Sequence, residues 1–183
     1  MQALEAYGEA LRFRTPDIAP LDHAFTQHNR ALRLLELASL PGENRLERFA
    51  EALRAAWTTF VIFNRFQQQQ YQEQAVRLLQ HIGMSCGDDF EALWQQVHAT
   101  PPPAWLSKEG MVQAMMLQYL AIISSTPDAR ALAEFWQQVP PELGAPLVAT
   151  VEAMISQAEA DGEAAEADAY RERLKVLRTL RRR

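Results

Sequence analysis

The sequence predicts an all-α protein. Its helices pair as antiparallel hairpins stacked into a short α-solenoid of about eight helices. Three observations carry the all-α class. Glycine is scarce, seven in 183 residues, and the ten prolines are clustered. Between the clusters run long stretches of Ala, Leu, Glu, Gln and Arg, all good helix formers. No segment sustains the period-two alternation with β-branched residues that a strand requires.

The first helix is expected over 2–14, with Ala3, Tyr7, Ala10 and Leu11 on one face. Thr15-Pro16-Asp17-Ile18-Ala19-Pro20 breaks it, because proline restricts its own φ and disfavours helix in the residue before it. The second helix runs over 21–40, where Leu21, Phe25, His28, Leu32 and Leu35 recur at helical spacing. Pro41-Gly42 ends it. A long helical stretch covers 44–82, divided near the Gln67–Gln70 run, and Gly83–Gly87 is read as a break.

The next helix spans 88–98, with Phe90, Leu93, Trp94 and Val97 on one face. Pro101-Pro102-Pro103 is the stiffest linker and the expected boundary between a first domain, 1–100, and a second, 104–183. A helix over 107–125 follows. Thr126-Pro127-Asp128 then reads as a cap with proline opening the helix that runs to 139. Pro140-Pro141 stops that helix. The seventh places Leu143, Leu147, Val151, Met154, Ile155 and Ala158 on one stripe, with Gly162 as its C-terminal cap. The eighth places Ala167, Tyr170, Leu174 and Leu177 on one stripe. Short connections between such helices favour antiparallel neighbours.

Composition suits a folded chain. Hydrophobic residues make up 48% and charged residues 22%, enough to bury a core and too apolar for general disorder. The lone cysteine, Cys86, excludes an internal disulfide and suits a reducing cytoplasm. Glu5 and Glu9 interrupt any leader-like apolar run. Met111–Ile123 is too short to span a membrane and carries Gln113 and Gln118.

The net charge of −5 argues against a dedicated nucleic-acid binder. Its distribution is uneven: residues 171–183 hold seven basic groups and one acid, Glu172, a net +6 against −11 for the remainder. The basic end, with Arg178, Arg181, Arg182 and Arg183, admits two readings. It complements the dipole of a helix that starts acidic at Glu163, Glu166 and Asp168, or it forms a patch for nucleic acid or another polyanion. No aromatic residue is interleaved to stack on bases. A nucleic-acid-associated helical protein is therefore the alternative function.

Motifs for chemistry are sparse. His23 and His28 stand five apart, which suits no single helix face, and neither His-Glu-x-x-His nor Cys-x-x-Cys occurs, so no metal is expected. The isolated glycines form no phosphate loop, so no nucleotide cofactor is expected. Cys86 sits in Met84-Ser85-Cys86-Gly87-Asp88, read as a loop before a helix, with His81 and His98 in the same region. This is the one arrangement that suggests a Cys–His pair. Asp88 and Asp89 oppose a thiolate there and read better as helix-start residues. Trp57–Phe66 is apolar almost all round, which predicts a helix buried between neighbours. Asn64 and Arg65 within it then need partners, in a groove or among loop carbonyls. Met111, Met115 and Met116, with Tyr119 and Leu120, read as core filling or as an adaptable binding patch.

An internal repeat is visible. Gln2-Ala3-Leu4-Glu5-Ala6 resembles Glu51-Ala52-Leu53-Arg54-Ala55, and Ala31-Leu32-Arg33-Leu34-Leu35 resembles Ala75-Val76-Arg77-Leu78-Leu79. Ala3, Tyr7 and Ala10 follow the small–aromatic–small pattern of the second helix of a tetratricopeptide repeat. With Thr15-Pro16-Asp17 and Leu40-Pro41-Gly42, the chain resembles the extended variant found in large bacterial multi-repeat proteins. Asn29-Arg30-Ala31 and Glu73-Gln74-Ala75 stand where that family carries Asn-Leu-Gly. The resemblance implies that the chain is the C-terminal part of an array, capped by its last hairpin. It also implies a protein-interaction scaffold without chemistry of its own, binding a peptide, a protein or another domain of a longer chain. The groove-facing positions it implies are His28, Asn29 and Arg33 in one unit, and Glu73 and Arg77 in the next.

Overall fold

The computed structural model describes residues 2–181. The chain folds into nine α-helices with no strand among the described residues: α1 (Gln2–Phe13), α2 (Pro20–Ala38), α3 (Arg45–Arg65), α4 (Gln69–Cys86), α5 (Phe90–His98), α6 (Lys108–Ser125), α7 (Ala129–Trp136), α8 (Pro141–Ala160) and α9 (Ala164–Arg181). Two 3-10 turns precede α5 and α6. It divides into two compact units, Met1–Met111 and Val112–Arg183. The three consecutive prolines thus lie inside the first unit. Leu106 is fully buried in the first core and Trp105 packs on Phe60 at 5.4 Å, so the chain beyond the prolines still completes that core.

In the first unit α2 packs on α3, and α3 on α4 and α5. The α2–α3 seam is built on alanine. Ala24, Ala31, Ala52 and Ala56 have no exposed surface, and Leu34 and Leu53 interleave with them. Small side chains let helix axes approach closely. The buried Thr59 hydroxyl reaches across to the Ala24 carbonyl at 3.2 Å and back to that of Ala55 at 2.9 Å, which satisfies a polar group in the seam. The inward face of α2 is therefore Ala24, Ala31, Leu34, Leu35 and Ala38, and Leu32, expected on it, is exposed. The sequence stripe followed the large residues, whereas close packing selected the small ones.

The break between α1 and α2 is held by a polar knot. His23 Nδ1 donates to the Arg14 carbonyl at 2.6 Å, Arg14 donates to Thr26 Oγ1 at 3.1 Å, and Thr26 donates to the Asp22 carbonyl at 2.7 Å. The long stretch 44–82 does divide. Gln67 adopts φ +55° between α3 and α4, which lets α4 fold back. Phe25, Phe63 and Tyr71 then meet within 4.7–5.4 Å. Asn44 caps α3 by accepting the Glu47 N–H at 3.3 Å.

The expected break at Gly83 does not occur, and α4 continues to Cys86. Gly83 is buried because the Met111 thioether fills the space where a side chain would stand. The turn comes at Gly87, φ +62°.

In the second unit α9 packs on α7 and α8. Leu143, Leu147, Val151, Ile155 and Ala158 of α8 are buried, as are Ala167, Tyr170, Leu174 and Leu177 of α9. Asp128 caps α7 through the Arg130 and Ala131 N–H groups. Gly162, φ +76°, closes α8, and the Glu163 N–H returns to the Ala158 carbonyl at 2.8 Å.

Candidate interaction surface

The residues expected to bind a partner fall into three places. Asn29 and Arg33 lie on the outward stripe of α2, with Leu32 and Glu36. Glu73 and Arg77 lie on the outward stripe of α4, with His81 and Met84. The two helices touch, and Phe25 meets Tyr71 edge-on at 4.7 Å. Arg33 pairs with Glu36 at 2.6 Å and Arg77 with Glu73 at 3.9 Å. These exposed, same-helix pairs contribute only a few tenths of a kcal/mol each, so either partner can be redirected to a ligand at little cost. Leu32 and Met84, 40% and 46% exposed, add apolar surface to the same stripes.

His28 differs from its neighbours. It is half-buried, its Nδ1 has no protein hydrogen-bond partner, and burial lowers its pKa. It therefore packs in the neutral form.

Asn64 and Arg65 are not buried. They sit with Val61 and Phe66 on the solvent side at the end of α3. Asn64 Oδ1 accepts from Gln72 Nε2 at 3.1 Å, bracing the α3–α4 turn, and the Arg65 guanidinium lies 5.7 Å from the Phe66 ring. The apolar run reads as buried all round, yet only its Thr59, Ile62 and Phe63 face is closed over.

Among the described side chains of the basic end, three of the four cations have acidic partners. Arg178 pairs with Glu152 at 2.7 Å, Lys175 with Glu172 at 2.6 Å, and Arg171 with both Glu159 and Asp168. Arg173 donates to the Thr126 carbonyl at 3.3 Å. The Arg181 side chain, and Arg182 and Arg183 altogether, lie outside the described residues.

Cys86 is the last residue of α4, not a loop residue, and is 5% exposed. Burial pushes its thiol up to about 12, well above a nucleophilic cysteine. His98 instead packs among tryptophans, 4.2 Å from Trp94 and 5.8 Å from Trp57. Among the described residues no group of three or more His, Cys, Asp or Glu is placed to hold a metal, and no helix is long and apolar enough to cross a membrane. Met111 belongs to the first core, while Met115, Met116, Tyr119 and Leu120 pack against the second.

Sequence reasoning missed a groove of about 630 Å³ between α3 and α5, floored by Ala50 and Leu93 and edged by Glu47 and Arg54. The spacing of these charges on one helix was the signal available. Compared with family models, with curated proteins and with solved structures, the chain finds no match in any of the three.

Proposed function

We propose that this chain is a protein-interaction module, a tetratricopeptide-like row of helical hairpins of bacterial type working in the cytoplasm. It presents the outward stripes of α2 and α4 to a peptide or protein and carries out no chemistry of its own. The observation that supports this best is the order of packing in the first unit. Each helix from α2 to α4 packs on its successor, and the next-but-one pairs α2–α4 and α3–α5 also touch. Stacked hairpins generate that pattern, because each leaves an apolar face that only the following one covers. The first helices of successive hairpins, α2 and α4, then line one face.

That face carries both signs of charge, amides and two exposed apolar side chains. Such a surface suits a segment of mixed polarity better than a polyanion. The ion pairs along α9 weigh the same way, since Arg171, Lys175 and Arg178 already have acidic partners.

A peptide-display selection on the immobilised full chain tests the reading. Peptides selected on the wild type are then measured on the Asn29→Ala/Arg33→Ala/Arg77→Ala variant. Peptides enriched on the wild type are expected to lose about tenfold or more in affinity on the variant, some 1.4 kcal/mol. Peptides that bind both proteins equally would defeat the assignment of this face.

A further inference from the structure

The groove between α3 and α5 carries a charge pattern that is its own complement. Glu47 and Arg54 stand two turns apart on one face of α3, roughly 10 Å along the axis at 1.5 Å per residue. Neither forms an ion pair among the described residues, although most charged neighbours do. Between them the floor is small and apolar, with Ala50 and Leu93 both buried, and Leu46 is 48% exposed at the rim. The one other carboxylate at the middle, Glu51, is held by Arg30 at 3.1 Å and Arg48 at 3.6 Å, so it does not repel an approaching acid strongly.

A helix laid antiparallel along this groove needs a base opposite Glu47, a small residue at the centre and an acid opposite Arg54. α3 itself has that order. We propose that a second copy of this chain occupies the groove, with the two α3 helices antiparallel about a two-fold axis near Ala50. Glu47 of each copy then faces Arg54 of the other. This is an isologous contact, in which residue i meets j and j meets i. The alanine at the centre permits close approach, and the exposed Leu46 supplies apolar contact beside the axis. The interface lies on α3 and α5, apart from the α2–α4 face, so its failure leaves the peptide-binding reading standing.

Sedimentation of the full chain at low ionic strength is the test. The wild type is expected at twice the chain mass, with dissociation promoted by salt. Glu47→Arg and Arg54→Glu each set like charges opposite one another and are expected to weaken association about tenfold or more. Mixing the two variants regenerates both complementary pairs, so the mixture is expected to dimerise. The double variant E47R/R54E is expected to regain the dimer alone. Helicity measured alongside confirms folding, and Arg54→Glu, on an exposed side chain, stands even if Glu47→Arg weakens the first turn of α3. A monomeric wild type overturns the proposal. So does a dimer that Arg54→Glu leaves intact, and so does a folded double variant that stays monomeric.

Discussion

The imidazole of His98 lies 4.2 Å, ring centre to ring centre, from the indole of Trp94, one turn earlier on α5. Trp57 approaches both, at 5.8 Å and 5.2 Å. His98 Nε2 and Trp94 Nε1 are buried with no protein partner. The end of α5 thus depends on an imidazole that remains uncharged.

That dependence has a direction in pH. Burial first, and then the positive charge of Arg54, lower the His98 pKa, and burial alone lowers that of His28. Each imidazole takes up a proton more readily in the unfolded chain than in the folded one. Stability from this source is complete above the unfolded value of about 6.5 and is lost as pH falls through the lower folded values. Urea-unfolding midpoints are expected to fall between about pH 7.5 and pH 5. His98→Gln, which cannot titrate, should flatten part of that fall. A wild-type midpoint that is level across the range would show that neither histidine packs in its neutral form.

Two glycines in helices should respond oppositely to alanine. A Cβ at Gly110 would stand 2.1 Å from the Ala104 carbonyl oxygen, a backbone atom that cannot swing aside. Gly110→Ala is expected to cost about 2 kcal/mol or more, at the upper end of overpacking effects. At Gly8, within α1, a Cβ meets nothing within 4 Å. Gly8→Ala is expected to add up to about 1 kcal/mol from helix propensity. Denaturant titrations of the two variants measure both signs.

Cys86 should be inert while the chain is folded. With its thiol pushed up to about 12 and its side chain in the first core, alkylation near neutral pH is expected to follow opening of the protein. The labelling rate should rise steeply across the unfolding transition and equal that of a free thiol beyond it. Rapid labelling of the native chain would reopen a reactive-cysteine role.

The positions of the helices were legible because proline and glycine punctuate the chain and act locally. Pro16, Pro41-Gly42, Pro140 and Gly162 lie between helices, and Pro20 and Pro141 open α2 and α8. The stripes of α8 and α9 were legible because their inward residues are large and regularly spaced. The rotation of α2 was not, since Ala24 and Ala31 form its seam through smallness, and a hydrophobic pattern weights Leu32 more heavily. Gly83 read as a break because its role is set by Met111, twenty-eight residues later. Asn64 and Arg65 read as buried because the sequence does not reveal which side of α3 lacks a neighbour. The α3–α5 groove depends on how far two helices splay, which is a property of packing.

Backbone amide shift mapping on the isotope-labelled full chain, titrated with a display-selected peptide, tests the proposed interaction face most directly. Saturable shifts are predicted along Asn29, Leu32 and Arg33 of α2 and Glu73 and Arg77 of α4, with α8 and α9 unmoved. Shifts that gather on α9 around Arg178, or that avoid α2 and α4 altogether, would contradict it.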